Sequence, residues 1–421
     1  MDTKISQIVF CLKLLPLLKI CDDFERYCFR IVRRKKRREK MRRKRITKKL
    51  FAILLVAGMS VSAVACGGSG ANNSGDSDRK DAQSIKEENQ VVQQDTKADD
   101  AKLEENNDKD TTVKKTQYPL TITTYDYDGN EVETTYEKAP EKVLAVYQGS
   151  IETMLALGLE DHLVATAGLD NEVPQEQKAA FSKTEYLDEF TPSLETVTML
   201  EPDMIFSWSS LFGDKELGDV KNWIEKGCNT YYNSNTRPSS EKEIRNRTLE
   251  NEYTDILNIG KIFDVQDKAE AIVEEIKNTI EQTTEATKDR KEKPTVLILE
   301  PLGDDITNYG ATSLGGDMVT KLGGELANPD AKTVGKEDIV AANPDVIFVV
   351  YMPYAGDDPE TVKESQINVI TDDEALQSLD AVKNKRIVPI MLSEMYASAT
   401  RTQDGIETFA AGLYPDLKFE R

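Results

Sequence analysis

The segments Glu201-Pro202-Asp203-Met204-Ile205-Phe206 and Asn343-Pro344-Asp345-Val346-Ile347-Phe348 repeat one pattern in two distant parts of the chain. Each follows a stretch of helical character, Glu195 to Leu200 in the first copy and Lys336 to Ala342 in the second. Each then opens a short apolar run, which reads as a buried strand because it is too short for a packed helix. One helix-then-strand unit used twice predicts two similar halves. Strands alternating with helices predict parallel sheets covered by helices.

Outward from these anchors the first half shows an apolar strand at Val143 to Val146, a helix capped by Ser150 and running through Leu157, and a strand at Leu163 to Thr166. A helix at Lys215 to Lys226 ends at Gly227. The second half shows a strand at Val296 to Leu299, a helix from Ser313 to Leu322 before Gly323-Gly324, and the strand Val346 to Val350. Ahead of both, Leu120 to Tyr125 and Val132 to Tyr136 flank Asp128-Gly129, a turn pair that tolerates positive φ, and predict a hairpin. Between the halves, Ala269, Ile272, Val273, Ile276 and Ile280 recur at helical spacing within Asp267 to Lys288. Such a helix is about 33 Å long at 1.5 Å per residue, enough to strap one lobe to the other. The expected fold class is α/β, with two Rossmann-like lobes and mostly parallel sheets, joined by a single long α-helix. The expected segments are 118–266, 267–290 and 291–421.

The N-terminus has a different character. The chain of 421 residues carries a net charge of −21, yet residues 1–65 hold 18 Lys and Arg against 5 Asp and Glu, or +13. The remainder, with 36 basic and 70 acidic residues, is −34 and repels phosphate backbones, so nucleic acid is not an expected partner. From Met41, a natural place for translation to start, a basic run is followed by the uncharged Leu50 to Ala65, as in a secretory signal. The boundary Ala63-Val64-Ala65-Cys66-Gly67 resembles a bacterial lipobox, with Ala63 where Leu is preferred. That resemblance implies cleavage before Cys66 and its lipidation, which anchors a protein on a membrane through acyl chains. Residues 66–117 are rich in Gly, Ser, Asn, Asp, Glu and Lys and predict a flexible tether. Of the other cysteines only Cys228 lies in the body, where it is expected to pack as a small hydrophobe.

A single histidine, His162, excludes a multi-histidine site for a bare transition metal and leaves no evident serine or cysteine triad. His162 sits beside Asp161 and is expected in a solvated turn. No resident cofactor, catalytic residue or protein-held metal is implied.

The blocks Lys142 to Gly168, Pro192 to Trp208, Lys336 to Val350, Leu376 to Ile390 and Gly405 to Leu417, in that order around the long helix, resemble the iron-siderophore and cobalamin class of substrate-binding proteins of ABC importers. The resemblance implies two lobes with a ligand cleft between them. It implies capture of an Fe(III)-siderophore outside the cell and delivery to a permease dimer with its ATPase subunits, by a monomer. Cobalamin and haem are the alternatives within that class, and a surface adhesin or hydrolase on the same fold is the alternative outside it. It also implies that Glu195 and Glu337, one on each lobe, meet arginines of the permease; a carboxylate in the first turn of a helix is favoured by the helix dipole.

Ligands of open α/β sheets bind at the carboxyl ends of strands. This places Tyr147, Gln148, Ser207, Trp208 and Ser209 of the first lobe at the cleft, with Glu300, Tyr309, Tyr351, Met352 and the Glu394 to Tyr396 loop of the second. Arg401 is the best placed cation. A highly anionic triscatecholate wants an arginine cluster, so the sequence leans towards a neutral or cationic chelate such as a hydroxamate.

Overall fold

The computed structural model describes residues 115–417 apart from 214–215, 241–242 and 303–304, so the signal, the Cys66 lipobox and nearly all of the tether lie outside the described residues. Everything described belongs to one compact unit. The hairpin pairs β1 (Leu120–Tyr125) with β2 (Glu131–Tyr136), antiparallel. The first lobe has β3 (Val143–Val146), α1 (Gln148–Ala156), β4 (Leu163–Ala167), α2 (Leu194–Leu200), β5 (Met204–Ser207), α3 (Val220–Glu225) and β6 (Asn229–Tyr232). Its sheet is parallel throughout, in the order β4-β3-β5-β6.

Two helices follow, α4 (Leu249–Ile262) and the long α5 (Gln266–Thr287). Ala269, Val273, Ile276 and Thr283 form the buried stripe of α5. The second lobe has β7 (Thr295–Leu302), β8 (Asp305–Asn308), α6 (Leu314–Lys321), β9 (Glu325–Leu326), α7 (Lys336–Ala342), β10 (Val346–Tyr351), α8 (Pro359–Thr371), β11 (Ile387–Met391) and α9 (Thr402–Leu413). Its sheet runs β11-β10-β7-β8, with β9 on β7. All its pairings are parallel except β7 with β8. One apolar core runs through both lobes and includes Ile256 and Ile259 of α4 and Ala269 and Ile276 of the connecting helix α5.

The repeated six-residue pattern has a physical explanation. Glu201 and Asn343 cap the C-termini of α2 and α7 in the left-handed conformation, with φ of 48° and 36°. Proline follows each and stops the helix. The aspartate then staples the neighbouring strand. Asp203 accepts hydrogen bonds from the backbone N–H groups of Glu141 and Lys142, and Asp345 accepts from the N–H and hydroxyl of Thr295. The apolar residues that follow, Met204 to Phe206 and Val346 to Phe348, are fully buried.

Three expectations are corrected. Ser150 lies inside α1, which opens at Tyr147; its buried hydroxyl donates to Asn233 Oδ1 instead of capping. The helix expected from Lys215 begins only at Val220, capped by Asp219, because Gly213 and Gly218 first bridge a loop that buries Leu217. His162 is half-buried rather than solvated: its Nδ1 lies 2.6 Å from the Pro140 carbonyl and its ring packs edge-on to Phe263. Cys228 is buried as expected, which pushes its thiol up to about 12.

Left-handed backbone costs an ordinary side chain about 1–2 kcal/mol. Glu201 is exposed and its side chain reaches only Lys142, at 3.9 Å. Glu201→Gly should therefore stabilise the protein by about 0.5–1 kcal/mol, seen as a higher denaturant midpoint. Asn343→Gly should do the opposite, because Asn343 exchanges two hydrogen bonds with Asp380.

Candidate functional site

The carboxyl ends of β3 and β5 place two aromatic rings at the junction of the lobes. Tyr147, directly after β3, has φ 85° and ψ 156°, a region normally left to glycine. Its N–H donates to the Ala167 carbonyl at 2.8 Å and its hydroxyl to Asp170 Oδ2 at 2.5 Å, so the strained backbone is held at both ends of the residue. Its ring lies 4.0 Å, centroid to centroid, from Trp208 after β5. Trp208 lies 5.9 Å from Tyr396 of the second lobe, and Tyr396 meets Tyr309 edge-on at 6.1 Å. Tyr309 donates its hydroxyl to Glu300 Oε2 at 2.6 Å. The result is a continuous aromatic array, Tyr147-Trp208-Tyr396-Tyr309, that crosses from one lobe to the other. The Trp208 Nε1–H is buried and has no acceptor among the described residues. Arg247 lies over the Tyr396 ring at 3.6 Å, a cation–π contact.

Arg401 has a different task from the one expected of it. Its Nε and Nη2 donate to the two oxygens of Glu152 at 2.7 and 2.6 Å. Nη1 donates to Ser393 Oγ at 3.2 Å, and Nη2 also reaches the Glu172 carbonyl at 2.9 Å. A guanidinium this fully engaged, with its carboxylate partner entirely buried on α1, is not a free cation for a ligand. Burial pushes the Glu152 carboxyl up, against the pull of the Arg401 fork and the Gln148 amide.

Gln148 and Ser209 are likewise engaged. Gln148 donates to Glu152 at 2.5 Å and accepts from the Asp170 and Asn171 N–H groups, and so braces α1. Ser209 is tied to Thr236 through both its N–H and its hydroxyl. Ser207 is wholly buried in β5. Tyr351 and Met352 are half-buried at the end of β10, and Met352 Sδ accepts from Asn171 Nδ2 across the junction at 3.5 Å. Burial and then Glu394 push the Tyr351 phenol up to about 12. Glu300 lies within β7 rather than in a loop. Glu394 lies in the short helical turn Leu392–Met395 after β11, and burial, with Asp404 nearby, pushes its carboxyl up to about 7. Glu195 and Glu337 are exposed, each second in its helix.

Three residues of this region escaped the sequence reading. Glu152 left a signal, an acid inside the apolar run Ile151 to Leu157, but nothing named its partner 249 residues away. Glu252 is fully buried on α4 and accepts from the Ala399 N–H at 2.5 Å. Arg247 stands in a polar loop and carries no signal of its position.

A profile of the periplasmic binding protein family matches residues 143–391, which hold both central sheets and the aromatic array apart from Tyr396. The chain belongs to this family. Among curated relatives, it is 26% identical over 271 residues to the petrobactin-binding protein YclQ of Bacillus subtilis, covering 62% of this chain and 78% of YclQ. A periplasmic binding protein from Veillonella parvula is 30% identical, with a TM-score of 0.66 over 72% of this chain and 93% of its own. The Fe3+-hydroxamate transport system structure from Saccharomonospora viridis shares the fold at 22% identity, TM-score 0.54, covering 70% of this chain and 99% of that one. The two-lobed α/β architecture with its single connecting helix is thus that of a periplasmic binding protein. Among the described residues no helix is long and apolar enough to cross a membrane.

Glu394 makes the site's stability depend on pH. Its folded pKa lies above the ordinary carboxyl value of 4.5, so the folded state holds its proton more tightly. The stability it contributes is fully present below about pH 4.5 and is lost as pH rises towards 7. Glu394→Gln should raise stability by about 1–3 kcal/mol at pH 8, and the difference should vanish near pH 4.5, as measured by denaturant titration at each pH.

Proposed function

We propose that this protein is an extracytoplasmic substrate-binding lipoprotein of an ABC importer that captures an Fe(III)-siderophore and hands it to the membrane permease, a binding role rather than catalysis. The observation that carries this reading is the aromatic array. Trp208 and Tyr396, half-buried at the lobe junction, offer apolar faces to a bulky chelate whose iron is already wrapped, the buried Tyr147 and Tyr309 back them from either lobe, and the Trp208 N–H supplies an unused donor. Family membership and the likeness to YclQ support the same class of ligand.

The charges near the array favour a neutral or cationic chelate such as a hydroxamate. Arg401 is cancelled by Glu152, which leaves Arg247 over Tyr396 against the carboxyls of Glu300 and Glu394. Haem is less well supported, because a tyrosine ligand must lose its proton: Tyr351 is pushed up to about 12 and Tyr309 already donates to Glu300.

Delivery is assigned to Glu195 and Glu337. Both are exposed at the start of equivalent helices, and Met199 on α2 and Val340 on α7 add exposed apolar surface one turn further on. The two proposed tasks fall on different residues and can be tested separately. Glu195→Ala with Glu337→Ala should cut uptake by cells severely while ligand affinity of the isolated protein stays within about twofold, about 0.4 kcal/mol. Trp208→Ala should weaken affinity first. Normal transport by the double glutamate variant would remove the docking assignment, and unchanged affinity in Trp208→Ala would remove the array from the site.

The anchor is assigned to Cys66. Cys66→Ser should release the protein into the medium and abolish lipid labelling, and retention on the membrane would count against it.

A further inference from the structure

The second lobe's turn 396–401 presents Tyr396 to Trp208, yet little within the turn holds it there. Ala399 has φ 48°, the left-handed region that costs a non-glycine residue free energy. The hydroxyls of Ser398 and Thr400, with that of Thr402 just beyond, are buried and have no partner among the described residues. The grip comes instead from the first lobe and α4. Glu252 Oε2 accepts from the Ala399 N–H at 2.5 Å and the carboxylate also accepts from the Ser398 N–H. Glu252 is itself aimed by Asn235, whose amide donates to Oε1 at 2.6 Å. At the other end of the turn Glu152 holds Arg401 by a two-pronged ion pair. Gly149 completes the seat, since a Cβ there would meet the Ala397 carbonyl at 3.2 Å.

We propose that Glu152 and Glu252 are positioning residues for ligand capture: two buried carboxylates that clamp the 396–401 turn and so fix Tyr396 against Trp208 before any ligand arrives. Neither carboxylate is a ligand contact in this account, because both are fully buried and engaged. The clamp preorganises the cleft, so the ordering of Tyr396 need not be supplied by the binding step. The ligand role of the cleft is taken from the function proposed above, but the test needs no ligand and stands or falls separately.

Amide hydrogen exchange of the full chain, read peptide by peptide, measures the clamp directly. In Glu252→Ala the amides of 396–401 should exchange about tenfold to a hundredfold faster, while those of β3, β5, β7 and β10 keep their protection. Glu252→Gln, which retains the volume and an acceptor oxygen, should restore much of the protection. Glu152→Leu with Arg401→Leu removes both charges without stranding either, and it too should free 396–401 while the central strands stay protected. Unchanged exchange at 396–401 in both Glu252→Ala and the double leucine variant would overturn the proposal. So would an equal loss of protection in the central strands, which would make these groups general supports of the fold.

Discussion

A guanidinium buried between two lobes is tolerable only if its charge is answered, and the Glu152–Arg401 fork answers it. The arrangement of the junction depends on that pair. Glu152 lies one turn into α1, so holding Arg401 fixes the second lobe against the carboxyl end of β3. Through Gln148 the same carboxylate reaches the Asp170-Asn171 backbone, and through Asp170 it reaches the hydroxyl of Tyr147. Tyr147 ties the aromatic array to this polar network. Truncating one member of such a pair strands a buried charge, which costs about 3–5 kcal/mol, whereas removing both costs far less.

The connecting helix α5 and its neighbour α4 limit what the lobes can do. Gly260 of α4 admits Ala269 of α5 so closely that a Cβ there would lie 2.4 Å from the Ala269 Cβ. Gln403 of α9 donates to Thr279 on α5 at 3.0 Å, tying the second lobe to the strap as well. The backbone adds a further link between the lobes, where the Ala355 N–H donates to the Asp170 carbonyl at 2.9 Å. Lobes joined by a packed helix and a buried ion pair suit small adjustments around a bulky chelate better than wide hinge closure.

The fold was legible because its signals are local. The Pro-Asp-apolar repeat encodes a helix stop, a staple and a strand within six residues, and the 3.6-residue stripe of α5 is visible without partners. The site was legible only in part. Strand ends could be read, so Tyr147, Trp208, Tyr309 and Tyr396 were named and are brought together. Whether a polar side chain is occupied by its neighbours depends on distant residues, so the engagement of Arg401 by Glu152, of Gln148 by the Asp170-Asn171 backbone and of Ser209 by Thr236 could not be read from the sequence. Helix boundaries failed for the same reason: Ser150 has the chemistry of a cap, but Asn233 took its hydroxyl.

Binding of an iron chelate of low or positive charge at the array can be measured directly by paired fluorescence titrations. Tryptophan emission of the purified protein would be followed while a ferric trihydroxamate bearing an ammonium group and an anionic Fe(III) triscatecholate are added separately, each against its iron-free chelator. Saturable one-to-one quenching by the ferric trihydroxamate is expected, with weaker binding of the triscatecholate and little response to the iron-free forms. Tight binding of the triscatecholate with none of the trihydroxamate would contradict the reading of the cleft charges, and saturation by neither would contradict binding at the array itself.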